Sequence, residues 1–235
     1  MTLLSIVTTV CQRNGLRVPT EVVTSTDTQV QQLYALANQE GKELARGFPW
    51  QALTREQTFT TTATEIQAGA IPADLYAFLN NTMFNRTTRL TLIGAITPQL
   101  WQAIKAQPHL NRVYLAWRER DNDFIVTPTA TADQTIAFEY VTTKWAEAAN
   151  GTAQTEFLAD TDTTLLDEEL IIQGVSWRFL KAKNLDYAED FRTYQTNLQI
   201  AQSIDAGPTQ INITGSTTWG LWGFPNLPLG NFPGS

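Results

Sequence analysis

Apolar residues recur at two different spacings along this chain, and the switch between them constrains the fold more than any single motif does. Near the start, Leu3, Leu4, Ile6, Val7 and Val10 form a helical stripe after Thr2, and Asn14-Gly15 stops it. Thr26 with Gln29 reads as a capping box for a second helix, whose apolar face is Val30, Leu33, Tyr34, Ala37, Gly41 and Leu44. A third helix is expected to start near Thr161–Thr164 and run to about Lys183. It carries Asp162, Asp167, Glu168 and Glu169 early and Arg178, Lys181 and Lys183 late, the polarity that the helix dipole favours. Asn184 tolerates the left-handed conformation that ends such a helix. Asp186 with Glu189 then caps a fourth, with Tyr187, Phe191, Tyr194, Leu198, Ala201 and Ile204 facing inward. So short a break favours an antiparallel helix hairpin.

The middle of the chain follows the other spacing. Residues 57–64 are Thr-rich and strand-like, and Thr91/Ile93/Ala95, Val113/Leu115/Trp117 and Ile136/Phe138/Tyr140 alternate as strands do. Asp121-Asn122-Asp123 reads as a hairpin turn, and Thr97-Pro98 opens a short helix over 98–106. The expected fold class is therefore α+β: an antiparallel helical bundle built from both chain ends over 3–13, 27–46, 164–183 and 187–205, an inserted β-rich domain, and an extended C-terminal arm. The expected division is 1–54 and 160–205 for the bundle, 55–159 for the β-rich insertion and 206–235 for the arm.

The arm stands apart chemically. From Ala206 to Ser235 there is no Asp, Glu, Lys or Arg, while Trp219, Leu221, Trp222, Phe224 and Phe232 alternate with Gly and Pro. Pro and Gly exclude a long helix there, and so many uncharged aromatics are poorly solvated. The segment is expected to bind a partner, with Ile211, Ile213, Trp219, Leu221, Trp222, Phe224 and Phe232 as the contact residues. Residues 210–214 (QINIT) suit addition as a strand to another sheet.

Composition removes several classes of function. The 235 residues include one Cys (Cys11) and one His (His109), so neither an intrachain disulfide nor a thiolate or His-rich zinc site is expected. No basic, cleavable leader opens the sequence, and no run of about 18 apolar residues suggests a membrane span. A net charge of -7 argues against tight wrapping of nucleic acid. The acidic string DTDTTLLDEE (160–169) lacks the glycine and alternate oxygens of a calcium loop and reads as helix-terminal carboxylates. No phosphate-binding glycine loop and no nucleophile elbow accompanies His109, and Cys11 reads as a small buried side chain. Arg86, Arg89, Arg112, Arg118 and Arg120 fall in the β-rich middle, where pairing with acids on a neighbouring subunit or facing solvent outweighs phosphate contact. No catalytic residue, cofactor or metal is expected, so the chain reads as a structural protein and not an enzyme.

Four long strings carry a resemblance. They are TDTQVQQLYALANQEGKELARGFPWQALTRE (26–56), IPADLYAFLNNTMFNRTTR (71–89), TIAFEYVTTKW (135–145) and LLDEELIIQGVSWRFLKAKNLDYAEDFRTYQ (165–195). They resemble tailed-phage head-to-tail connector proteins, the adaptors related to tail tubular protein A. The resemblance covers roughly residues 1–205. It implies a helical bundle carrying a β-rich domain, and twelve copies in a ring beneath the portal protein that continue the DNA channel. It also implies a tail nozzle or tube protein as the partner below, genomic DNA passing without specific binding, no membrane, and a place at the head-tail junction of the virion after synthesis in the host bacterial cytoplasm. Two other readings stand beside it: a more distal tube or nozzle subunit, and a carbohydrate-binding tail component with Trp219 and Trp222 as a sugar platform.

Overall fold

The computed structural model describes residues 1–106 and 114–206 of the chain. Its elements are α1 (Leu3–Arg13), α2 (Thr28–Gly47), a 3-10 turn (Gln51–Leu53), β1 (Thr54–Thr60), β2 (Ile66–Gln67), β3 (Leu75–Phe78), β4 (Phe84–Asn85) and β5 (Leu90–Thr91). They continue with α3 (Pro98–Lys105), β6 (Ala116–Arg120), β7 (Asp123–Thr127), β8 (Thr135–Thr142), β9 (Ala146–Glu147), β10 (Ala153–Gln154), β11 (Thr163–Thr164), α4 (Glu168–Ala182) and α5 (Ala188–Asp205). The described residues divide into two compact units, one of 1–54 with 141–206 and the other of 55–106 with 114–140.

In the first unit α4 packs against α1, α2 and α5. It buries Leu170, Ile171, Ile172, Val175, Trp177 and Phe179, a spread around the helix that suits an element covered on several sides. Asp167 caps it by accepting from the amides of Glu169 and Leu170. The cap of α2 is Asp27, which accepts from Gln29 N at 2.9 Å, and not the Thr26 that the capping-box pattern suggests. Asn184 adopts a φ of +56°, as the turn between α4 and α5 requires.

The expected helical bundle built from both chain ends is not what forms. The chain is α+β, with five α-helices and three sheets among the described residues, and one of those sheets lies inside the same unit as the terminal helices. There β9 pairs antiparallel with β10 and β11, and Thr2 bridges to Thr163. Leu3 N and Leu4 N donate to the carbonyls of Asp162 and Asp160 at 2.8 and 3.1 Å, so the first turn of α1 is completed by a loop and not by another helix. Trp145 and Phe157 meet edge-to-face at 4.8 Å, and a Cβ on Gly41 would lie 2.2 Å from the Trp145 ring. The segment from Trp145 to Thr164 thus takes space that an all-helical bundle would fill with helix faces. For the same reason the third helix begins at Glu168, because Thr163–Thr164 are drawn into the sheet.

The second unit holds two sheets. One runs β1-β8-β4-β5, with β3 also on β8; the other runs β2-β7-β6. β6 and β7 form a hairpin with Arg120 opposite Asp123, so its loop is Asp121-Asn122, both at positive φ. Its core is aromatic: Trp117 stacks on Phe124 at 5.3 Å, and Phe124 lies parallel to Phe138 at 6.2 Å. Thr97 caps α3 with Pro98 in its first turn, and α3 buries Trp101 and Ile104 against Ala116 and Ile125.

Candidate functional site

The seven partner-contact residues expected in the arm, Ile211, Ile213, Trp219, Leu221, Trp222, Phe224 and Phe232, lie outside the described residues, as do His109 and Arg112. Of the other arginines singled out, Arg86 pairs with Glu56, Arg89 sits in a turn at φ +61°, and Arg118 and Arg120 lie on β6. Cys11 is buried, and burial together with the nearby Asp27 charge pushes its thiol above the ordinary range.

The acidic string is spent on holding backbone. Asp160 accepts from Val22 N and Val23 N at 3.0 and 2.8 Å, and Asp162 from Leu158 N and Ala159 N at 2.7 and 2.8 Å. Glu169 receives a two-pronged bond from Arg13 at 2.7 and 2.9 Å. Only Asp167 and its two followers stand at the helix terminus; Asp160 and Asp162 organise the loop before it. No group of three or more His, Cys, Asp or Glu among the described residues could hold a metal ion.

The most unusual chemistry in the described residues lies where α2, α4 and α5 meet. Glu40 on α2 is fully buried. One of its oxygens accepts from Arg178 Nε at 2.6 Å, and the other accepts from the Tyr194 hydroxyl. Arg178 reaches onward with Nη2 to Glu43 at 2.6 Å, and its guanidinium lies over the Trp177 ring at 4.5 Å. Room for the carboxylate comes from Gly174, where a Cβ would sit 2.2 Å from Glu40 Cδ. Beside the junction a groove of about 310 Å³ is lined by Leu44, Gly47, Trp177, Phe191, Tyr194 and Leu198. Trp177 and Phe191 touch with ring centres 4.8 Å apart.

Burial pushes the Glu40 carboxyl above the ordinary range, outweighing the Tyr194 hydrogen bond and the Arg178 charge. The Tyr194 hydroxyl is also pushed up, by burial and then by the Glu40 charge. Burial works against Glu43 as well, yet hydrogen bonds from Gln39 and Arg178 bring it below the ordinary range. A carboxylate so enclosed ties three helices together. It sits at a joint next to an aromatic groove. The sequence reading missed Glu40, although its position gave a signal: it occupies the stripe Leu33, Ala37, Leu44 at helical spacing, where a charge is out of place. Arg178 read only as a dipole-favoured charge, and Tyr194 read correctly as facing inward.

No helix among the described residues is long and apolar enough to cross a membrane. No protein-family model matches the chain, and no curated protein matches it.

Proposed function

We propose that this chain is a structural virion protein, a head-to-tail adaptor that forms a ring between the portal and the tail nozzle or tube and continues the DNA channel. The reading rests on the resemblance of the four strings to adaptors of short-tailed phages. One feature of the fold supports it: the strings 26–56 and 165–195 supply opposite sides of one joint, Glu40 from the first and Gly174, Arg178 and Tyr194 from the second. Stretches that resemble a family together also pack together here, as parts of one structural unit must.

A ring needs a different patch on each flank of the subunit, because a heterologous contact is what closes a cycle. A net charge of -7 suits a channel through which a polyanion slides without sticking. The uncharged arm from Ala206 onward supplies aromatic anchors of the kind that dominate strong contacts, here with the portal or a neighbouring copy. In this role the chain acts as a scaffold and not as an enzyme, and it uses no cofactor.

The test is to mix the purified chain with the portal ring of the phage that encodes it and weigh the product by native mass spectrometry. A gain of about twelve subunit masses, the copy number implied by the resemblance, supports the adaptor. No association from a well-folded chain refutes it and moves the chain to a more distal tail position.

A further inference from the structure

We propose that α5 is a releasable helix: it leaves α2 and α4 as a unit while α1, α2 and α4 stay folded, and the Tyr194–Glu40 hydrogen bond is its catch. Of the 18 residues of α5 only Tyr194 is buried, whereas α4 buries seven of its 15. Ile200 and Ile204 are 52% and 75% exposed, so the lower half of the helix contributes little apolar burial. Open grooves border it beside its packing on α4. The aromatic groove of about 310 Å³ runs along one edge, and one of about 250 Å³ lies under Ala201 and Ile204 against Trp50 and Leu165. A third, of about 290 Å³, separates Asp190 and Thr193 from Arg13 and Ser176. Where a groove runs, the helix lacks the close protein contacts that give a packed helix its dispersion energy.

The ends of α5 are held weakly too. The helices α1, α2, α3 and α4 each have a side chain capping the first turn; the N-cap of α5, Tyr187, makes no such bond. Asp186, one residue earlier, accepts only from Ala188 N at 3.2 Å. Asn197 Nδ2 also donates to Gln173 Oε1 at 2.9 Å, and Gln51 N donates to Asp205 at 2.8 Å. The link to α4 is short and turns at Asn184 beside an exposed Leu185. The catch is the buried bond among these, the Tyr194 hydroxyl donating to the Glu40 carboxyl. Elements with few buried contacts open at a lower free energy than the whole unit. Release uncovers Trp177 and Glu40 on the helices left behind. The inference stands independently of the adaptor reading.

Native-state hydrogen exchange on the full chain tests it. The slowest amides of α5 are expected to exchange at least tenfold faster than the slowest of α4, and with a weaker dependence on denaturant. Tyr194→Phe removes one hydrogen bond to a buried charged group and is expected to speed α5 exchange about ten- to hundredfold. Ile6→Val, in the buried face of α1, loosens what remains folded after release. It is expected to speed α4 exchange about two- to tenfold and leave α5 unchanged. Equal rates and equal denaturant dependence for α4 and α5 overturn the proposal, as does an Ile6→Val effect of the same size on both helices. An unaltered α5 in Tyr194→Phe overturns the assignment of the catch.

Discussion

Gly174→Ala pits two effects of opposite sign against each other. In an exposed helix interior the change would stabilise by about 1 kcal/mol, because alanine loses less backbone entropy. Here the new Cβ would stand 2.2 Å from Glu40 Cδ, 2.4 Å from Oε1 and 2.5 Å from Cγ. An ordinary contact needs about 3.4 Å or more, so the carboxyl group must move by more than 1 Å. Glu40 has no exposed surface to move toward, and a shift of that size breaks its bonds to Arg178 and Tyr194. Each hydrogen bond to a charged group contributes about 1.5–3 kcal/mol. Two lost bonds less the gain in propensity leave a net destabilisation of about 2–5 kcal/mol. With a urea dependence of about 1–3 kcal/mol/M, the unfolding midpoint should fall by roughly 0.7–5 M, followed by circular dichroism. In a Glu40→Ala background the same substitution should be neutral or mildly stabilising, since the obstacle is gone. A Gly174→Ala chain as stable as the parent, or more so, would refute the reasoning.

Other consequences are open to measurement. Asp167→Ala removes the cap of α4 and should cost about 1 kcal/mol, read as a lowered urea midpoint; no change would show that the first turn is held by something else. Because the carboxyl pKa of Glu40 is raised on folding, its contribution to stability is complete below the ordinary value of 4.5 and is lost as pH climbs through the raised value. Glu40→Gln mimics the protonated form. Its melting temperature should therefore gain on the parent's as pH rises from 4 to 8, and a constant gap would contradict that sign. Glu169 behaves oppositely: Arg13 holds it below the ordinary range, so its small contribution is lost as pH falls, and Arg13→Gln should weaken the unit slightly near neutrality but not in acid. Deleting residues 207–235 should abolish capture by the portal ring while leaving the helical circular-dichroism signal per residue close to that of the parent; undiminished capture would exclude the arm as the contact.

The terminal helices were legible because each carries its own local code. Thr2 and Asn14 bracket α1, Asn184 ends the α4 hairpin, and the stripes at helical spacing are long enough to read. The β6–β7 turn was legible for the same reason, one residue shorter than expected because Asp123 pairs with Arg120. What escaped was everything decided at a distance. Strands of two residues, such as β9, β10 and β11, show no alternation at all, so the sheet inside the helical unit left no trace in the sequence. Asp160 and Asp162 look like any other acids until Val22, Val23, Leu158 and Ala159 arrive with their amides. Val113/Leu115/Trp117 marked a strand that begins only at Ala116. Ile204 fitted the inward stripe of α5 and is nevertheless exposed, because periodicity names a face without saying that a neighbour covers it. Of the α2–α4–α5 joint, Tyr194 and Arg178 were singled out for local reasons and Glu40 was not. A buried charge is explained only by partners that lie 138 and 154 residues away.

The bridge between Thr2 and Thr163 has a bearing on biosynthesis. The first helix leaves the ribosome with its opening amides unpaired, and those of Leu3 and Leu4 are satisfied by residues about 160 positions later, as most of its apolar face is by α4. At a synthesis rate of about 5–20 residues per second, α1 and α2 wait on the order of ten seconds for α4. The stretch from Arg55 to Tyr140 in the β-rich unit is synthesised before that wait ends. Helices made before the β-rich stretch are thus packed after it, and while they wait they are a species in need of a chaperone.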